Sequence, residues 1–188
     1  LSDDERLRLE ADLTYEELDV SLEGANCKSA AGIDGIITSF IKRFWYVFRE
    51  PLARYSAEVF RKKQLTSSFK GSIIKLIPKK GAAKDIRKWR PISLLGCMYK
   101  IISRAVNNRL KTVINRFTSR AQKGFTNHRY IQEVLFNVCE TINYCNVNGV
   151  FGALLSIDQS RAFDTISHKY MGEVYKFFGF GENFINVM

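Results

Sequence analysis

The sequence predicts an α+β fold, and three observations carry that prediction. Apolar residues recur at helical spacing in several long segments. Two short β-rich runs flank a basic loop containing Gly81, the pattern of an antiparallel hairpin. Helices and strands do not alternate regularly, which disfavours a doubly wound parallel sheet.

Taken in order, residues 14–23, TYEELDVSLE, form the first predicted helix. Thr14 is its N-cap, and Glu17 three residues on completes a capping box. KSAAGIDG follows as a turn-rich loop. Between 38 and 63, Phe40, Ile41, Phe44, Trp45, Phe48, Leu52, Tyr55, Val59 and Phe60 keep helical spacing, and Pro51 is expected to break or start a helix there.

SIIKLI at 72–77 and PISLL at 91–95 are the two hairpin arms. The next helix spans 98–117, with Ile101, Ile102, Ala105, Val106, Leu110 and Val113 among the residues on its apolar face. A similar pattern covers 130–146 through Val134, Leu135, Val138 and Ile142. After Asn148-Gly149, VFGALLSI at 150–157 reads as a buried strand. A last helix covers about 168–178.

Composition narrows the function. The 188 residues are 46% hydrophobic and 13% aromatic, enough to bury a core and to argue against global disorder. No apolar run approaches the roughly 20 residues a spanning helix needs, so no membrane association is expected. The charged start, LSDDERLRLEADL, resembles no targeting peptide. The chain opens on Leu1, as expected of a piece of a longer protein. Cys27, Cys97, Cys139 and Cys145 lack zinc-finger spacing, and with only His128 and His168 beside them they read as free thiols in a reducing compartment.

The net charge of +10 is concentrated. Residues 61–90 hold eleven Lys and Arg against the single acid Asp85, and the rest of the chain is balanced. Such a field fits a polyanion, either nucleic acid or nucleotide phosphate, although a solvated surface would look the same.

ALLSID at 153–158 ends an apolar run on a carboxylate. A strand of this kind holds Asp158 as a ligand for a hard cation, since Mg²⁺ takes oxygen ligands and usually one or two carboxylates plus substrate phosphates. Alone, the pattern equally fits an Asp that caps the following segment.

Five segments in order resemble the reverse transcriptases of non-LTR (LINE-type) retrotransposons. KSAAGIDGIITSFIKRFW resembles the family's K-S-x-G-x-D-G segment. IPKKGAAKDIRKWRPISLLGCMYKIISRAVNNRL resembles its fingers motifs, with I-P-K and W-R-P-I-S-L-L. RAQKGF resembles Q-x-G-F, and LLSIDQSRAFDTISH resembles motif A, D-x-x-x-A-F-D. HKYMGEVYKFFGFGENFI resembles the helix after it. Together they span residues 14–188.

The resemblance implies a right-hand polymerase fold: mostly helical fingers with a short antiparallel hairpin, then the first part of a palm whose strand carries motif A. Residues 1–35 would be an N-terminal helix and template-proximal loop, 36–118 the fingers, and 119–188 the partial palm. It implies an RNA-directed DNA polymerase using Mg²⁺, deoxynucleoside triphosphates, an RNA template and a DNA primer.

The same resemblance implies the roles of individual residues. Asp158 would be the catalytic metal ligand, with the Gln159 backbone carbonyl beside it. Lys79 and Arg90 would hold the triphosphate, and Phe163 would stack under the sugar and exclude a 2′-hydroxyl. Asp164 would support the local turn. Lys28, Lys80, Lys84, Arg87 and Lys88 would contact the template backbone. The parent protein would be intracellular, acting in cytoplasm and nucleus.

Two departures matter. After Gln122 the family commonly shows G-F-x-x-G-R; here the run is Gly124-Phe125-Thr126-Asn127-His128-Arg129, with His128 where glycine would take a positive φ freely. The Y/F-A-D-D motif that supplies further metal carboxylates does not occur in the 188 residues, so this piece alone is expected to be inactive. An exposed palm edge predicts dimerisation. The alternatives are a basic RNA-binding module or degenerate polymerase relic without catalysis, and a group II intron-type reverse transcriptase.

Overall fold

The computed structural model describes residues 1–79, 84–159 and 162–188. Two helices open the chain, α1 (Asp3–Glu10) and α2 (Tyr15–Glu23). Both start on a capping box: Ser2 with Glu5, and Thr14 with Glu17. Each box satisfies end N–H groups that would otherwise lack partners. The first box is legible in the sequence as S-x-x-E, although the α1 helix was not anticipated.

The expected helical stretch 38–63 divides at Phe44 into α3 (Thr38–Arg43) and α4 (Trp45–Lys62). Pro51 neither breaks nor starts a helix: it lies inside α4, which continues through it. The division falls instead where Phe44 leaves helical geometry, with φ −110° and ψ 24°. The short α5 (Ser67–Lys70) leads into the hairpin.

β1 (Ser72–Pro78) and β2 (Trp89–Leu95) pair antiparallel, from Ser72 opposite Leu95 to Pro78 opposite Trp89. A single 3-10 turn at Ile86–Lys88, capped by Asp85, brings the chain back into β2. Then come α6 (Cys97–Val113), α7 (Ile131–Asn148), α8 (His168–Phe177) and α9 (Glu182–Val187). Gly149, at φ 63°, ends α7 as its left-handed cap.

The core gathers around α6. Ile101, Ile102, Ala105, Val106 and Val113 are buried against Leu9, Leu18 and Leu22 from the first two helices. Leu52 and Phe60 of α4 join them, with Phe180 and Phe184 from the end of the chain. This is the apolar face predicted for 98–117. Arg109 of α6 ties the α1–α2 link down: it donates to both carboxylate oxygens of Glu17, at 2.5 and 2.6 Å, and to the backbone carbonyls of Leu9, Ala11 and Asp12.

The buried strand expected over 150–157 does not form. Residues 151–159 carry no regular secondary structure, and Phe151, Leu154, Leu155 and Ile157 are exposed. The hairpin is the one sheet among the described residues. No strand there receives the backbone hydrogen bonds of 151–159, and an isolated strand has no ladder to hold it. The predicted apolar face of α7 is likewise open, with Leu135 and Ile142 exposed.

Candidate nucleotide and template site

The hairpin arranges its cations by register. Ile77 faces Arg90 across the ladder, Lys75 faces Ile92, and the Lys79 N–H donates to the Lys88 carbonyl at 3.1 Å. Side chains alternate between faces with a period of two. Lys75 and Ile77 therefore share a face with Arg90 and Ile92, while Lys79 and Lys88 lie one residue past the paired ends, joined by their backbone hydrogen bond. The opposite face carries Ile74, Leu76, Pro78, Trp89, Pro91 and Ser93. Among the described residues, none of Lys75, Lys79, Lys88 and Arg90 has a salt-bridge partner, and all four are exposed. Lys79 directly follows the last residue of β1 and Arg90 lies in β2, on opposite arms of the hairpin. Lys75 shares the face of Arg90, which composition alone did not reveal.

The other basic positions are less uniform. Arg87 is taken up by Asp85, donating from its backbone N–H and Nε to Oδ1 at 3.1 and 3.0 Å, and from its guanidinium to Oδ2 at 3.3 Å. The Arg87 hydrogen bonds hold the Asp85 carboxyl below its ordinary range. Lys84 is exposed at the base of the loop. Lys80 lies outside the described residues.

The loop between α2 and α3 reaches the root of the hairpin. Asp34 Oδ1 accepts from the Ile36 N–H at 3.0 Å, and Gly35 takes φ 69° to complete the turn. Asn26 Oδ1 accepts from the Lys28 N–H at 2.9 Å, and the Lys28 side chain is exposed. Lys100 of α6 donates to the Ala30 carbonyl at 3.3 Å, fixing the loop to the helix that follows β2.

Asp158 and Gln159 are exposed at the end of the 151–159 segment rather than on a strand. No group of three or more His, Cys, Asp or Glu side chains converges as a metal cluster among the described residues. Asp158 has no salt-bridge partner there. A carboxylate so exposed suits a hard cation that draws its remaining ligands from water and substrate phosphates. Asp164 falls in the turn at 162–165. Phe163 is exposed and meets the ring of Phe125, with centroids 6.4 Å apart.

The loop 119–130 answers the question raised by His128, which adopts the left-handed region at φ 58° despite its side chain. Arg129 braces it by donating to the carbonyls of Asn115, Thr118, Ser119 and Gln122. Four hydrogen bonds from one guanidinium offset the cost of that backbone. No helix among the described residues is long and apolar enough to cross a membrane.

Residues 77–188 match the family Reverse transcriptase (RNA-dependent DNA polymerase). The whole chain is 31% identical over 188 residues to the Transposon TX1 uncharacterized 149 kDa protein of Xenopus laevis. It spans 14% of that relative's length.

Proposed function

From the premise that the chain belongs to the reverse transcriptase family, in its non-LTR, LINE-type branch, we propose that the protein is an RNA-directed DNA polymerase to which this chain contributes the nucleotide and template contacts. The observation that carries the reading is the basic hairpin, where Lys75, Lys79, Lys88 and Arg90 are exposed without salt-bridge partners among the described residues.

Phosphoryl transfer asks the protein mainly for positioning and charge neutralisation. Arg90 would grip the triphosphate through its planar fork, and Lys79 would act as a point charge beside it. Lys28, Lys80, Lys84, Arg87 and Lys88 would track the template backbone, with Arg87 weakened by its pairing to Asp85. Asp158 and the Gln159 carbonyl would hold Mg²⁺, which when bound neutralises charge developing on the transferred phosphoryl group. Phe163 would lie against the sugar and exclude a 2′-hydroxyl. The RNA template, DNA primer and deoxynucleotides are thus the partners, and the protein works inside the cell, in cytoplasm and nucleus. The 188 residues by themselves contain no A-D-D string and are expected not to extend a primer.

The test compares Asp158→Ala with Arg90→Ala in the complete gene product. Asp158→Ala should abolish primer extension at saturating deoxynucleotide while RNA binding persists. Arg90→Ala should raise the deoxynucleotide KM. DNA synthesis that survives Asp158→Ala would sink the polymerase reading and leave an RNA-binding module.

A further inference from the structure

Two aromatic rings meet on the surface although neither belongs to the core. Phe125 is 94% exposed and Phe163 83% exposed. Their planes stand at 80°, with centroids 6.4 Å apart. The loop that presents Phe125 is braced: besides the Arg129 hydrogen bonds, Thr126 Oγ1 donates to the Gln122 and Lys123 carbonyls at 3.2 and 3.3 Å. Gln122 Nε2 donates to the Gly124 carbonyl at 3.1 Å.

Phe125 itself sits at φ 61°, a region disfavoured for any residue with a Cβ. A bulky ring is thus held outward, in a strained backbone, on a fixed loop, with no burial to justify it. Packing among the described residues does not explain the ring, and its open face is free to receive a planar ligand. Two rings at right angles form a corner, in which a planar group lying flat on one presents its edge to the other.

We propose that Phe125 is a positioning residue for the incoming nucleotide, forming the wall on which the nucleobase rests while the sugar lies against Phe163. This inference rests on the reading of Phe163 given above. Every base has a π-face, so stacking on Phe125 adds affinity without choosing among the four bases.

The experiment uses Phe125→Ala, Phe125→Gly and Phe125→Tyr in the complete gene product, with Arg90→Ala alongside. Glycine takes φ 61° freely, so Phe125→Gly should fold at least as stably as the natural chain, which separates binding from folding. The deoxynucleotide KM should rise roughly five- to hundredfold for the Ala and Gly variants, the loss of one base stack. The rise should be alike for all four deoxynucleotides, and Phe125→Tyr should restore it. An unchanged KM with weakened template affinity would overturn the proposal in favour of a template base. An unchanged KM and unchanged template affinity would show that the ring takes no base at all. If Arg90→Ala raises KM and the Phe125 variants do not, this inference alone fails. If Asp158→Ala also leaves synthesis intact, the polymerase reading fails with it.

Discussion

Gly32 lies flat against Gly96. A Cβ on Gly32 would stand 2.5 Å from the Gly96 nitrogen and 2.7 Å from the Leu95 carbonyl carbon. The loop between α2 and α3 therefore touches the chain where β2 ends and α6 begins, and backbone cannot retreat as a flexible side chain would. Gly32→Ala should cost about 2–3 kcal/mol, the usual scale of overpacking. Gly35→Ala, at φ 69° with open space around it, should cost only about 1–2 kcal/mol for its left-handed backbone. Denaturant unfolding of the two variants checks the order. Equal losses would mean that the close approach does not constrain the loop.

Arg109 and Glu17 make a related prediction, with a pH dependence. The Arg109 side chain is only 10% exposed and serves one carboxylate and three carbonyls. Arg109→Ala leaves those acceptors without their donor and should destabilise by about 2–4 kcal/mol. Burial raises the Glu17 carboxyl, but the Arg109 and Thr14 hydrogen bonds outweigh it and bring it below the ordinary 4.5. Hydrogen bonding from Arg116, then from the Ser2 backbone, pulls Glu5 from 4.5 down to about 2. Depressed carboxylates stabilise the fold above their unfolded value and lose that contribution as pH falls. Stability should therefore decline between about pH 4.5 and about pH 2. Glu17→Gln with Glu5→Gln should flatten that decline in acid titrations followed by circular dichroism.

How much of this was legible beforehand differs by element. The Thr14–Glu17 box, the hairpin and the α6 face follow from local rules: a cap needs a hydroxyl and a carboxylate three residues apart, and a helix face needs one period. The 150–157 segment failed for the opposite reason. Its apolar run meets the composition of a strand, but a strand exists only with a neighbour to pair with. Pro51 misled because a proline inside a helix forfeits one hydrogen bond and need not end it. The sharing of one hairpin face by Lys75 and Arg90 required the register, which a long loop between the arms leaves open. The meeting of Phe125 with Phe163 joins residues from separate motifs, and no periodicity links them.

The hairpin predicts a salt signature. With Lys79 and Arg90 given to the triphosphate, Lys75 and Lys88 are left to neutralise template phosphates, and each then releases counterions when RNA binds. Single-strand binding loses roughly 0.7 in the slope of log affinity against log salt per contact. Replacing Lys75 and Lys88 with Gln should lower that slope by about 1.4, measured by fluorescence anisotropy with single-stranded RNA. Arg87→Gln should change it far less, because Asp85 already occupies that guanidinium. A slope that falls as much for Arg87 alone as for Lys75 or Lys88 would show that the field acts as an undivided whole.

The open segment 151–159 makes the last prediction. Phe151, Leu154, Leu155 and Ile157 expose apolar side chains on backbone without regular structure, with no strand paired to it among the described residues, and α7 adds Leu135 and Phe136 nearby in sequence. Exposed apolar surface of this kind, next to unpaired N–H and C=O groups, is a template for pairing with another chain. We expect the 188-residue polypeptide to associate with a second copy through this segment. Sedimentation should show a concentration-dependent dimer, and Leu155→Lys should disperse it. The thermal midpoint should stay near its original value, since Leu155 is exposed and a lysine there disturbs no core contact. A polypeptide that stays monomeric at every concentration reached would mean that the segment finds its partner within the chain itself.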